Sequence, residues 1–200
     1  MADGSDRQPG SSGRQRHHAR DAATGAACGA GALAATRRWL ATRRSAAVMS
    51  ALLPEPALAG DLPDLLALLA ACSLPTADLD ERHLADFLLC RDGGRIVASG
   101  GLEFQAAAAL LRSLAVAASH RQRGLASRLV DELVQHARNR GQREIFLLTT
   151  SAAGFFAARG FQPFDRRQVP PQLAQCSEFR ELCPASAVCM RRTLAADSPA

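Results

Sequence analysis

"LRSLAVAASHRQRGLASRLV", residues 111–130, decides how the chain is read. Its first part, through Val116, is apolar apart from Arg112 and Ser113 and reads as a strand. From Leu125 onward apolar residues recur at helical spacing. Between them lies a short loop of two arginines and a glutamine, closed by Gly124 and followed by Ala126, so the first helical turn carries little side-chain bulk. The start of a helix has backbone N–H groups without partners and the positive end of the helix dipole, and both favour an anion. Arg121, Gln122, Arg123, Gly124, Leu125, Ala126 and Ser127 are therefore candidates to hold a pyrophosphate. An arginine-decorated helix start whose small residues only aid packing is the plainer alternative, because a lone R-x-x-G-x-A is a weak signal.

Working outward, Leu125, Leu129, Leu133 and Val134 predict a helix that Gly141 ends. "REIFLLTT" (143–150) reads as a strand, "SAAGFFAARG" (151–160) as a short helix stopped by Gly160, and "VCMRRTL" (188–194) as a last strand. On the other side, "FLLCRDGGRIVASGGLEF" (87–104) is a hairpin with a Gly-Gly turn. "GDLPDLLALLAACSL" (60–74) predicts a helix with Asp61 as N-cap and Pro63 in its first turn. "ALLPEPAL" (51–58) reads as a short opening strand, and the segment from Leu74 to Leu88 as a loop leading into a helical turn. The expected fold class is α/β (α+β), a mixed, mostly antiparallel sheet flanked by helices.

Two hundred residues, 48% apolar, suffice for one domain with an appendage. Every basic side chain other than histidine is arginine, and eight of them fall within residues 1–48 against three acids. The rest of the chain is balanced, which argues against a nucleic-acid-binding face, as does an aromatic content of 4% with no tyrosine. No apolar run reaches the roughly 18–20 residues that would span a bilayer, so no membrane partner is expected. Residues 1–48, rich in Gly, Ala, Ser and Arg, read as a disordered extension, a targeting segment, or sequence preceding a true start at Met49. Residues 49–195 form the expected domain and 196–200 a tail. Six cysteines without a paired short spacing suggest reduced thiols and a cytoplasmic location. Cys176, Cys183 and Cys189 lie close enough in sequence to suggest a soft-metal or arsenic site, but lack a histidine and the zinc spacings, so no metal is expected.

Arg121 to Ala126, directly after a strand, resemble the acetyl-CoA signature of the GNAT acetyltransferases, and "LLTTSAAGFFAARGF" (147–161) resembles that family's second signature. The resemblance implies a GNAT fold, acetyl-CoA as cofactor, and pairing of the pantetheine arm with the backbone at Leu114, Ala115 and Val116. "SEFRELCPASAVCMRRTL" (177–194) together with these stretches resembles the arsenic-resistance N-acetyltransferase branch, some members of which acetylate arsinothricin. The same features resemble the acetyltransferase domain of N-acetylglutamate synthases. Both imply a small glutamate-like amine as substrate, and the fold leaves a homodimer open.

Direct acetyl transfer needs a neutral amine, whereas an α-amino group is largely protonated at pH 7. Glu103, within a strand and flanked by glycines and apolar residues, is the candidate base; the alternative is an edge-facing carboxylate. Arg112 is the candidate clamp for a substrate carboxylate, preferred over a structural ion pair. Relatives place a tyrosine acid where this chain has Phe156, so Phe155 and Phe156 are expected to pack, and Thr150, Ser151 or a water would assist the leaving thiolate. Thr76 on one side, and Ser177, Glu178, Phe179 and Ser186 on the other, are candidates to wall the substrate. The missing tyrosine also leaves open a non-catalytic acyl-CoA sensor.

Overall fold

Apolar runs of strand length and two helices of helical period assemble into a single mixed sheet in the computed structural model, which describes residues 52–194. The expectations for residues 1–48 and for the tail lie outside the described residues. The strands are β1 (Glu55–Pro56), β2 (Phe87–Asp92), β3 (Arg95–Gln105), β4 (Ala108–Val116), β5 (Glu144–Thr149), β6 (Gln162–Pro163) and β7 (Val188–Thr193). They lie in the order β1-β2-β3-β4-β5-β7-β6, with β4 and β5 parallel and every other pair antiparallel. The helices are α1 (Leu62–Ala71), α2 (Leu125–Asn139), α3 (Ala153–Ala157) and α4 (Pro171–Ala174). The expected α/β class and sheet type are those observed.

Local sequence explains most boundaries. Gly93 and Gly94 take φ of +57° and +83°, the pair of left-handed residues that a tight hairpin between β2 and β3 requires. Pro63 lies in the first turn of α1, and Gly141, at φ +74°, follows the end of α2. Asp61 occupies the N-cap position but makes no capping bond; its carboxylate instead accepts the Leu58 N–H at 2.8 Å and pairs with Arg91 at 2.6 Å. The opening strand shrinks to two residues because Pro54 and Pro56 cannot donate to a ladder. β6 and α4 were not legible as elements, and the stretch around Glu178 is not a solvated loop. It forms a π-helical turn, Glu178–Leu182, with Glu178 and Phe179 buried.

Two adjacent glycines in β3 show what each face of the sheet carries. Gly101 lies under the Phe87 ring, which packs with Leu65, Leu69 and Leu84 on the α1 side. Gly100 points the other way, toward Leu129 and Leu133 of α2. On the face shared with α4, Leu110 and Phe146 pack against Leu173, Phe179 and Cys189. β4 carries one extra residue against β3 between Arg112 and Ala115, a bulge in which Ser113 takes φ +55°.

A Cβ at Gly101 would stand 2.2 Å from Phe87 Cε2, and Phe87 is only 1% exposed. Gly101→Ala is therefore expected to lower the unfolding free energy by about 1–3 kcal/mol, the usual cost of overpacking. Urea denaturation checks this, and Phe87→Leu in the same chain should recover part of the loss. An unchanged midpoint would mean that the ring can move aside freely.

Candidate active site

β4 and β5 pair for three residues, Ala108 with Glu144 to Leu110 with Phe146, and then part. The parting opens a cleft of about 570 Å³. Its walls are β4 from Leu111 to Val116, β5 from Leu147, the loop after α1, the first turn of α2, α3, and the segment from Glu178 to Ala187. Leu114, Ala115, Val116, Arg121, Ala126 and Phe156 all line it, as do Thr150 and Ser151. Phe156 is 5% exposed and meets Phe155 and Phe161 edge-on, with ring centroids 5.1 and 5.6 Å away. It packs, as a ring without a hydroxyl must.

The helix end has the form an anion needs. Gln122 and Gly124 both take left-handed φ, +63° and +78°, which turns the chain sharply into α2. The Arg128 N–H bonds the Gly124 carbonyl at 3.1 Å, so the amides of Leu125, Ala126 and Ser127 precede the helical ladder. Arg121 donates from Nε to the Val116 carbonyl at 3.2 Å, tying the loop to the end of β4. Arg159 adds a second cation: its guanidinium lies 3.7 Å from the Phe155 ring centroid and donates to Ser127 Oγ. Gln122 and Arg123 are exposed, Leu125 is buried in the helix seat, and none of Gln122 to Leu125 lines the cleft.

The opposite wall is acidic. Arg112, with no exposed side-chain surface, is held by three carboxylates of the protein. Asp78 accepts from Nη1 and Nη2 at 2.8 and 2.6 Å, and Glu103 accepts from Nη1 at 3.0 Å. Glu178 Oε1 lies 3.2 Å from Nε, an ion pair without hydrogen-bond alignment. Arg112 is thus an ion-pair hub rather than an open clamp for substrate. Glu103 is turned onto Arg112 and Gln105 and is not among the cleft-lining residues, whereas Glu178 is. Thr76, Ser177 and Ser186 likewise stand beside the wall rather than in it, where Pro75, Glu178 and Ala187 are found.

Glu178 and Asp78 shift in opposite directions, because Arg112 offsets burial to different extents. Burial raises Glu178 above the ordinary glutamate value, an effect that Arg112 only partly offsets. Burial also pushes Asp78 up, but the hydrogen bonds and charge of Arg112 outweigh it and hold Asp78 below the usual range. For Arg112 itself, burial is outweighed by Asp78, Glu178 and Glu103, so its pKa rises. Cys183, whose thiol donates to Glu178 at 3.6 Å, is pushed up to about 12 by burial and by that carboxylate. Cys176 is also pushed up to about 12, by burial and then Glu103. These thiols stay protonated and unreactive. Among the described residues no three His, Cys, Asp or Glu side chains are placed to hold a metal.

A mixed sheet split at one parallel pair, with a helix N-terminus at the mouth of the split, is an acyltransferase architecture. The chain belongs to the acetyltransferase (GNAT) family, which matches residues 52–161. The amino-acid acetyltransferase of Pseudomonas paraeruginosa is 31% identical over 102 residues, covering 50% of this chain and 24% of that one. The match thus spans about a quarter of that relative. The fold is shared with the N-acetylglutamate synthase of Neisseria gonorrhoeae in complex with coenzyme A and N-acetyl-glutamate, at TM-score 0.64 and 22% identity over 74% of this chain and 36% of that one. It is shared too with a Mycobacterium tuberculosis protein in complex with CoA and NLQ, at TM-score 0.62 and 20% identity, covering 72% of this chain and 99% of that one.

Asp78 and Ser113 were not foreseen; Glu178 was expected in the substrate wall and is found in the wall of the cleft, but its pairing with Arg112 was not read from the sequence. Asp78 lies in a polar loop beside Asp80, with nothing to tell the two apart. Ser113, 8% exposed, lines the cleft with its Oγ buried and without a partner. Only the bulge in β4 puts it there.

Removing the cation at the hub would bury three carboxylates against one another. Arg112→Met is therefore expected to cost about 3–5 kcal/mol, the scale for stranding one side of a buried pair. Its carboxylates would have raised pKa values in the folded state, so the deficit should shrink as pH falls from 7 toward 4. Urea titrations at both pH values check the sign; a deficit that ignores pH would show that the loss is one of packing alone.

Proposed function

We propose that the chain is an acetyl-CoA-dependent N-acetyltransferase acting in the cytoplasm on the amine of a small, glutamate-like amino acid. The observation that carries this is the cleft itself: an anion-suited helix end at one side and a buried carboxylate with a raised pKa, Glu178, in the other wall. Membership of the acetyltransferase family, and coenzyme A in the complexes of the similar folds, support the cofactor.

The residues present fit it. The open amides of Leu125 to Ser127, with Arg121 and Arg159, would hold the pyrophosphate. The β4 edge at Leu114, Ala115 and Val116, left without a strand partner where β5 departs, would pair with the pantetheine amides. Bound there, acetyl-CoA would supply the acetyl group as an activated thioester.

Around Arg112 acidic groups outnumber the one cation, so this wall attracts the ammonium of the acceptor and repels its carboxylates. Glu178 lines the cleft and takes the ammonium proton, which frees the amine for attack. The raised pKa brings its basicity closer to the task than that of an ordinary glutamate. Ser113 Oγ, with Thr150 and Ser151 nearby on the cleft wall, stands in for the absent tyrosine as donor toward the leaving sulfur.

The resemblance to the arsenic-resistance branch favours arsinothricin as the acceptor, and the similarity to amino-acid acetyltransferases favours glutamate. Thiol release from acetyl-CoA by the full chain, with arsinothricin, phosphinothricin and glutamate as acceptors, separates the two. Turnover with arsinothricin alone makes the protein a detoxifying enzyme, and turnover with glutamate alone makes it a biosynthetic one. Coenzyme A binding without turnover on any amine would favour the sensor reading, for which the missing tyrosine speaks.

On the accepted substrate, Glu178→Gln is expected to lower kcat/KM by about 10²–10⁴-fold, the range for loss of a general base, with coenzyme A affinity unchanged. Because Glu178 must be ionised to act and its pKa is raised, the acid limb of the wild-type profile should lie above the ordinary carboxylate range. Glu103→Gln is expected to cost less than about tenfold, since that carboxylate is not in the wall. The reverse ranking would return the base to Glu103.

A further inference from the structure

A second cavity, about 740 Å³, opens at the other end of the β4–β5 pair, where Ala108 and Glu144 are still in register. It is lined by Arg138 near the end of α2, by Gln142 and Arg143 in the loop that follows, and by an apolar wall that includes Leu194. Its charge is not compensated from within. Glu144 is taken up by Arg191 at 3.1 Å, and the side chains of Arg138 and Arg143 make no ion pair among the described residues. Arg192, whose pKa is lowered by burial and then by the charge of Arg138, with Asp131 opposing in part, lies near enough to feel that cation.

Two residues that line this cavity also carry buried polar atoms without partners. Among the described residues, four buried side-chain N or O atoms lack a hydrogen-bond partner: Arg112 Nε, Ser113 Oγ, Arg138 Nε and Gln142 Oε1. The first two belong to residues of the active-site cleft, and the other two to residues of this cavity. Folded proteins rarely leave such atoms without partners, because each costs its full desolvation penalty unless something binds there. One is a donor and one an acceptor, and both are closed off in this structure, so they meet a ligand only once the Arg138 and Gln142 side chains turn toward the cavity. Its volume is within the span of ordinary small-molecule sites.

We propose that this cavity is a second binding site, separate from the cleft, for a carboxylate-bearing amine of amino-acid size. Arg138 and Arg143 grip the carboxylate, Gln142 Oε1 accepts from the ligand N–H, and Ala106, Ala107 and Leu194 cover its apolar part. The site owes nothing to the acetyl-transfer reading, since it shares no residue with the cleft.

The test is an amide-resolved NMR titration of the ¹⁵N-labelled full chain with L-glutamate and, separately, with inorganic phosphate. Glutamate should move the amides of Gly141, Gln142 and Glu144 saturably, and Arg138→Met/Arg143→Met should weaken that binding by about 10–100-fold, the scale for losing charge-assisted hydrogen bonds. Amides of Ala115 and Ala126 report the cleft independently when acetyl-CoA is added, and an unperturbed response there shows that the double variant is folded. Arg143→Met alone should give an intermediate loss. No saturable movement at Gly141–Glu144, or movement that survives the double variant, overturns the proposal. Phosphate binding as tight as glutamate overturns the amino-acid part by showing a general anion site.

Discussion

The parting of β4 from β5 is the constraint on which the rest of the molecule turns. A strand inside a sheet normally satisfies its backbone on both sides, yet beyond Leu110 β4 is tied only to β3, which it follows to the Ala98–Val116 pair. β5 beyond Phe146 is tied only to β7. Two half-satisfied edges therefore face a shared cleft, and buried backbone groups demand partners. The bulge at Ser113 lets this happen without breaking the β3–β4 ladder: one extra residue bends β4 while Arg112 and Ala115 keep their partners. Because α2 starts a few residues after β4 ends, its open amides fall at the mouth of the same cleft.

The second organising element is Arg112. Burying a guanidinium among carboxylates is a poor way to gain stability, since desolvation consumes most of the Coulomb attraction. What the hub supplies is placement. Asp78 ties the segment after α1 to β4, Glu103 ties β3, and Glu178 ties the π-helical turn, so three separate stretches of chain converge on one side chain. Two of them contribute to the walls of the cleft. The cost falls on Glu178, which lacks an aligned hydrogen bond to the guanidinium and is the acid whose pKa is raised. A carboxylate held in this way is a poor structural group and a serviceable base.

Much of the fold was legible because local signals agreed with tertiary packing. The Gly-Gly hairpin, the helix from Leu125 to Gly141 and the apolar strands all carry their period in the sequence and appear where it places them. The helix-end geometry was legible for the same reason: it rests on backbone conformation and small residues within one short stretch. The acidic wall was not. Arg112 reads as a lone cation in an apolar strand, and nothing in the strand tells that its partners lie 34, 9 and 66 residues away at Asp78, Glu103 and Glu178. Glu103 was the natural choice of base because strand context is visible in sequence, whereas the turn that buries Glu178 has a polar composition typical of loops. π-helical turns have no simple period to read.

The two ends of the cleft carry opposite charge, and this bears on how the reaction would be organised. Arg121, Arg159 and the dipole of α2 stand at one end, and the Arg112 cluster, with its excess of carboxylates, at the other. A polyanionic acyl carrier and the ammonium group of the acceptor would therefore be drawn to different ends and meet where the strands part, without either competing for the other's place. The same polarity accounts for the arrangement of the acids. A free arginine on the acceptor side would be a second attraction for the carrier's phosphates, and its neutralisation by three carboxylates removes that competitor. The arginine that looks like a substrate clamp in the sequence thus serves the site best by being fully occupied.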